Sequence, residues 1–391
     1  MPFRAPDSER HDRVMAALRS SELDGFLCSL PSQILMLTGY WPVMAASVGL
    51  FTADAGTHLA IPQDEEEIAK ASSSAELATF RTARLDEITG PQKAAGDVLI
   101  QLFKKLKLGS ARIGIESGQC VQPCPYVVMN LYLSGLHELL KAEFPNLQLI
   151  ASGRLFENLK ATKTKCELER IRVAARLAGA AFDSAEAQIE PGMREPEVAS
   201  RFQSAFEETP LAAAVQRSYG TFFCMSGPNS AKAHAAYART RQRIIQEGDL
   251  VMIHCNTCAD GFWTDVTRTY IAGKPDSRQE EMRSAIMEAR HSALKSIKPG
   301  VEAKDVDLAA RSVLDRKNFG KEFKHSTGHG VGFSAANSDG VPRIHPKSRD
   351  TLTMGMSFNI EPAIYIDDYG GMRHCDMVGI TEQGAEVFSD F

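Results

Sequence analysis

The feature that most restricts the fold is a repeat in the C-terminal part of the chain. "AQIEPGMREPEVASRFQSAF" and "KSIKPGVEAKDVDLAARSVL" each carry a helical pattern that stops at a Pro-Gly pair before a second helical run begins. Proline cannot continue a helix interior, and glycine accepts the backbone of a helix stop, so Pro191-Gly192 and Pro299-Gly300 read as turns between helices. Extended segments follow each helix pair: residues 249–270 after the first, "MSFNIEPAIYIDDYGGMRHCDMVGIT" after the second. The expectation is two halves related by a rough two-fold axis, their hairpins face to face, with a site that takes residues from both.

At 391 residues the chain is long for one core, so a second domain is expected before the repeat. "SERHDRVMAALRSSEL" and "DVLIQLFKKLKL" are helix-like, while "DGFLCSL" and "ARIGIES" read as short buried strands. This alternation predicts a small α/β domain over residues 1–157. Thr164 and Glu167 stand at capping-box spacing, which starts a long helix near Cys166 and opens the second domain, residues 158–391.

The net charge of -5 leaves no basic footprint, so neither nucleic acid nor an anionic membrane is an expected partner. The N-terminus is too polar for a signal peptide, and no run approaches a membrane span. Eight scattered cysteines do not form a disulfide framework, so a reduced, cytoplasmic protein is expected. Cys28 and Cys166 read as buried thiols; Cys120 and Cys124 flank "VQP" without a partner pair. Cys255 and Cys258 form a lone CxxC, with Cys255 on the strand face away from His254, and Trp263 reads as core.

Chemistry concentrates in four places. In "VMIHCNTCADGFWTDVTRT" a turn at Asp260-Gly261 sets Ala259 against Phe262 and Asn256 against Asp265. His254 then shares a sheet face with Asp265 as its diagonal neighbour, and two such side chains can converge on a cation. The alternative is a turn cap and a satisfied histidine. A second hairpin turning near Asp368 places Glu361 opposite Cys375. Glu361 lies on an otherwise apolar strand and needs a cation or donors, with Arg373 the partner in a purely structural account. "KHSTGHGVGF" holds His325 and His329, but Gly328, Gly330 and Gly332 argue against a helix and no Glu follows His325, so an HExxH site is excluded. Its GxGxG spacing is not a dinucleotide loop. His234 stands in the polar stretch "SGPNSAKAHAAYARTRQR".

Taken in order, "GDLVMIHCNTCADGFWTDVTRT", "HSTGHGVG", "FNIEPAIYI" and "GGMRHCDMVGIT" resemble the pita-bread metallopeptidases, in the branch of aminopeptidase P, prolidase and creatinase. The resemblance covers nearly the whole chain and implies an α+β pita-bread domain behind a creatinase-type N-terminal domain. It implies two divalent metals held by Asp, Asp, His, Glu and Glu. Asp265, His329 and Glu361 match three of these, whereas His254 replaces the first Asp and Cys375 the last, bridging Glu. His234 and His325 match substrate-contacting histidines. Ala336 stands where a further histidine is usual, with His345 as a possible replacement.

Imidazole and thiolate move metal preference from manganese towards zinc, and one sulfur bridges two ions less well than a carboxylate. One divalent metal is therefore expected at His254, Asp265, His329, Glu361 and Cys375, with zinc favoured over manganese or cobalt. The implied activity is hydrolysis of a peptide or peptide-like amide, with a metal-activated water and catalytic roles for His234, His325 and Glu361. His325 would stabilise the developing charge, and His234, His325, Arg373 and His345 would contact substrate. Creatinase supplies a metal-free alternative, although Thr267 replaces one of its carboxylates; an inactive binding protein on the same fold is the third reading. The resemblance also implies a homodimer.

Overall fold

The computed structural model describes residues 7–43, 46–81, 86, 89–116, 133–210, 215–235, 239–335 and 340–391, so Cys120, Cys124 and Ala336 lie outside the described residues. The chain forms two compact units, Met1–Lys160 and Ala161–Phe391. Among the described residues no helix is long and apolar enough to cross a membrane.

The first unit is built on a six-stranded mixed sheet. Its strands run in the order Glu76–Phe80, Gly56–Pro62, Val48–Thr52, Gly25–Cys28, Arg112–Ile115 and Gln148–Ala151. The expected strands "DGFLCSL" and "ARIGIES" pair in parallel at its centre, Gly25 beside Ile113 and Leu27 beside Ile115. Helix Pro91–Lys105 buries Ala95, Leu99, Leu102 and Phe103, at the three- and four-residue spacing of one helix face, into a core with Leu50, Ala60 and Ile113.

The second unit repeats itself down to individual hydrogen bonds. Helix Lys165–Ala185 starts at the capping box, where the Thr164 hydroxyl and Glu167 carboxylate each satisfy the other's backbone amide. It is followed by helix Glu195–Glu208, and in the other half helix Ser277–Ser296 is followed by Ala303–Arg316. Between each pair a glycine with positive φ makes the turn, Gly192 at 91° and Gly300 at 88°. Gly192 N donates to Ile245 O and Gly300 N to Leu352 O, both at 2.8 Å. Glu195 N then donates to Arg243 O at 3.0 Å, and Ala303 N to Asp350 O at 2.9 Å. The Pro-Gly pairs thus anchor each helix pair to the extended segment of its own half.

Strands Ser218–Ser226, Leu250–Ala259 and Phe262–Ile271 form one antiparallel sheet. Asp260 and Gly261 both adopt positive φ, the type of two-residue turn the Asp-Gly pair predicts. Ala259 faces Phe262, Asn256 faces Asp265 and His254 faces Thr267, the expected register. In the other half Ala363–Ile366 pairs with Gly370–Arg373, and Ser357–Ile360 with Asp376–Thr381. One register runs through both ladders, yet it is interrupted between them. There Cys375 leaves Glu361 and bridges to Thr267 of the first hairpin, its amide donating to Thr267 O at 3.0 Å. Helix Ser277–Ser296 packs Met282, Ala285, Ile286, Ala289 and Ala293 into the core with Leu250, Phe358, Ile360 and Ile364.

Candidate active site

The site lies where Thr267 meets Cys375. Three glycines let the "KHSTGHGVGF" loop run directly along strand Ser357–Ile360: Glu361 N donates to Thr327 O, Asn359 N to His329 O and Val331 N to Ser357 O. A side chain at Gly328 would strike Asn359 O at 1.9 Å, and one at Gly330 would strike Val341 O at 2.2 Å. These glycines serve close backbone approach. Helix Ala303–Arg316 fixes the loop from behind, because Asp307 accepts from the Thr327 amide and hydroxyl while Arg311 donates to His325 O.

Asp265 is the centre of the cluster. Its Oδ1 lies 3.6 Å from His254 Nδ1 and 3.7 Å from Cys375 Sγ, and its Oδ2 lies 3.7 Å from His329 Nε2. Glu361 is nearly buried, with Arg373 Nη1 at 3.8 Å from its Oε2. Burial pushes the Glu361 carboxyl up to about 7, aided by Asp265 and opposed by the Arg373 charge. Burial likewise raises the Cys375 thiol well above its ordinary range, with Asp265 and Glu361 adding to the effect. This thiol donates to Asp265 O at 3.2 Å.

Arg373 organises the opposite wall. Its backbone is clamped by Thr269, whose hydroxyl accepts from Arg373 N and donates to Arg373 O, both at 3.0 Å. Its Nε donates to Thr267 Oγ1 at 3.1 Å, and that hydroxyl lies 3.0 Å from His254 Nδ1. On the other side His325 Nδ1 lies 2.7 Å from Ser326 O and must donate to it. His325 Nε2 therefore accepts from Tyr365 OH at 3.0 Å, leaving that oxygen to accept from Arg373 Nη1 at 3.5 Å. One guanidinium thus contacts two hydroxyls, each beside a buried imidazole. Burial, with Arg373 contributing, pushes His325 down to about 3 and His254 down to about 4.

Both ring nitrogens of His325 are engaged in this structure, Nδ1 with Ser326 O and Nε2 with Tyr365 OH. His234 is half-buried, its ring 5.4 Å from that of Tyr365, with Nδ1 on Ala231 O. His345 is exposed and its Nδ1 accepts from Lys347 N, so it belongs to a local turn and not to the wall formed by His325 and Tyr365. Cys166 is exposed, not buried, because it begins its helix on the solvent side. Cys28, Cys255, Cys258 and Trp263 are buried.

Sequence reasoning missed Tyr365 and Asn359. Asn359 accepts from His329 N at 2.7 Å and its amide donates to His329 Nε2 at 3.2 Å. Both share the odd-numbered strand face of Glu361, so the period of two was the available signal.

Among the described residues no group of three or more His, Cys, Asp or Glu side chains stands in a finished metal-holding arrangement; the donors meet Asp265 in pairs. Asp265 is buried with an imidazole nitrogen of His254, an imidazole nitrogen of His329 and the sulfur of Cys375 within 3.7 Å of its carboxylate oxygens, a mixed donor set of the kind that holds a cation. The set fits one ion.

Residues 169–382 match the family described as metallopeptidase family M24, and residues 10–161 match the creatinase/prolidase N-terminal domain. The Xaa-Pro dipeptidase of Pyrococcus horikoshii is 28% identical over 379 residues, covering 97% of this chain and 96% of that protein. Among solved structures, the prolidase from Pyrococcus furiosus superposes with a TM-score of 0.76 at 27% identity, covering 96% and 99% of the two chains. The Xaa-Pro dipeptidase from Bacillus anthracis gives 0.79 at 25% identity, covering 98% and 97%.

Proposed function

The chain belongs to metallopeptidase family M24, with the α+β pita-bread fold behind a creatinase/prolidase-type N-terminal domain, and from that premise we propose that it is a hydrolase of the Xaa-Pro peptidase type. Its substrate is a dipeptide or small peptide-like amide, and the work is assigned to residues 158–391. The observation that carries this reading is geometric: Glu361, a buried carboxyl beside Arg373, lies with His254, His329 and Cys375 around Asp265. Glu361 is the group that would accept a proton from an attacking water and return it to the leaving amine.

Asp265 and His329, with Glu361 and Cys375, are the residues that would hold one divalent ion. When bound, the ion supplies Lewis acidity towards the scissile carbonyl, with zinc matching the nitrogen and sulfur ligands better than manganese or cobalt. Arg373 lies beside Glu361, and its charge adds to burial in keeping His254 and His325 neutral. Tyr365 and His234 form the wall against which substrate rests. The accompanying expectation is a cytoplasmic homodimer.

A second reading, a metal-independent C–N hydrolase, draws on Thr267 and Asn359, which already stand at hydrogen-bond distance from the ring nitrogens of His254 and His329 nearest Asp265. The two separate on one experiment. Purified protein is stripped with a chelator and assayed on Xaa-Pro dipeptides and N-acyl substrates, then resupplied with zinc, manganese or cobalt. Turnover lost with the metal and restored by zinc is the expected result. Undiminished turnover after stripping transfers the reading to the metal-independent mechanism.

A further inference from the structure

Arg268 stands in the first hairpin between two residues that already hold the second. Thr267 and Cys375 exchange backbone hydrogen bonds, Cys375 N donating to Thr267 O at 3.0 Å and Thr267 N to Cys375 O at 3.3 Å. Thr269 clamps the backbone of Arg373 with its hydroxyl. By strand alternation Arg268 points to the sheet face opposite Asp265 and Thr267, away from the site. Its guanidinium reaches the bridge from behind. Nη1 donates to both carbonyl oxygens of the bridge, Thr267 O at 3.0 Å and Cys375 O at 2.8 Å. Nη2 donates to Asp376 Oδ1 at 2.9 Å and to Ser389 O at 2.6 Å, and the guanidinium carbon lies 4.9 Å from the centre of the Phe391 ring.

The placement of this fork matters because regular pairing is interrupted there. The ladder of Ser357–Ile360 with Asp376–Thr381 stops at Asp376, and that of Ala363–Ile366 with Gly370–Arg373 stops at Arg373. Cys375 lies between them, joined to the first hairpin by an isolated bridge, with its Sγ 3.7 Å from Asp265 Oδ1. A charged N–H donor holds a carbonyl more firmly than a neutral one. Lysine would keep the charge, but one ammonium cannot fill every place of a planar fork. Arg290 provides an internal comparison. It pairs with the same buried Asp376, but it comes from helix Ser277–Ser296 and its hydrogen bond goes to the carboxylate, not to a bridge carbonyl.

We propose that Arg268 is a positioning residue for the hydrolysis. It fastens the two hairpins at residues 267 and 375, and so holds His254 and Asp265 of the first against Glu361, Arg373 and Cys375 of the second. It faces away from the substrate and acts through the backbone of Thr267 and Cys375. The hydrolysis rests on the function proposed above, whereas the fastening is read without turnover.

The test compares Arg268→Lys with Arg290→Lys in the full chain. Amide hydrogen exchange is followed in protein carrying isotope-labelled threonine and cysteine, and kcat and KM are measured on an Xaa-Pro dipeptide. In Arg268→Lys the amides of Thr267 and Cys375 are expected to exchange about tenfold faster or more, the margin of a charge-assisted hydrogen bond. Those of Cys255 and Thr257, in the central strand of the sheet, are expected to keep their rates. Turnover should fall about tenfold or more with KM little changed, since displaced reacting groups lower kcat. Arg290→Lys is expected to leave the bridge amides and kcat nearly unchanged. Phe391→Ala, which uncovers the guanidinium at a partly exposed ring, is expected to speed the bridge amides in the same direction and serves where the lysine variant does not fold. Bridge amides that keep their rates in whichever of these variants folds overturn the proposal. So does equal loosening in Arg290→Lys, or faster exchange with undiminished kcat. Faster exchange in a protein that hydrolyses nothing sinks the hydrolase reading and leaves the fastening standing.

Discussion

His254 shows what one residue type does in a fixed frame. It stands where the family resemblance implies an aspartate, and it is held neutral by burial, with the charges of Arg373 and His329 contributing. The unfolded chain protonates this ring below its ordinary value of 6.5, whereas the folded chain resists protonation down to about 4. In that window the unfolded state binds more protons, so stability rises with pH and the contribution is complete above 6.5. The slope it adds is up to about 1.4 kcal/mol per pH unit. Urea unfolding at several pH values is expected to show a shallower acid slope in His254→Gln than in the unmodified protein; equal slopes would remove the buried-neutral assignment. The pair of altered ligands makes a second prediction. H254D combined with C375E restores the carboxylates implied by the resemblance, and elemental analysis is expected to find two divalent ions per chain in place of one. A metal content that does not rise counts against the equivalence of these positions.

At the scale of elements, the hairpins were the most legible part of the sequence. Asp260-Gly261 fixes a turn, the turn fixes register, and register places His254, Asn256 and Asp265 without further information. The second hairpin was legible in register but not in its interruption. Cys375 leaves the ladder for Thr267, and that contact depends on a strand over a hundred residues away, which no local pattern encodes. The histidine loop was legible as irregular, because three glycines forbid a stable helix, but its path was not. Its position comes from close passage over Asn359 and from the Asp307 anchor. Gly328→Ala tests that passage: a new carbon against a backbone oxygen is expected to destabilise by about 3 kcal/mol or more. Turnover should fall with it, since His329 moves with the loop. A variant of unchanged stability and activity would show that the loop yields easily. Tautomer assignments were illegible for another reason, since they follow from which hydroxyls stand beside each ring.

For the whole molecule the repeat was the decisive clue. It was readable because each half needs the same break between its helices, and glycine at positive φ supplies it in both. Around Gly192 and Gly300 there is open space, so an added methyl meets nothing and its cost is conformational alone. Gly192→Ala and Gly300→Ala are each expected to cost about 1–2 kcal/mol. They lie in different halves with no shared partner, so the double variant should show the sum, measured as a shift in denaturation midpoint. A double variant far from the sum would mean that the halves communicate through these turns.

The bridge between Thr267 and Cys375 has a consequence for the protein's early life. His254 and Asp265 arrive from the earlier part of the chain, His329, Glu361 and Arg373 from the later part. The pocket closes only when the later strand meets the earlier one, so a chain that has formed only its first hairpin still lacks Glu361, Arg373 and Cys375 beside Asp265.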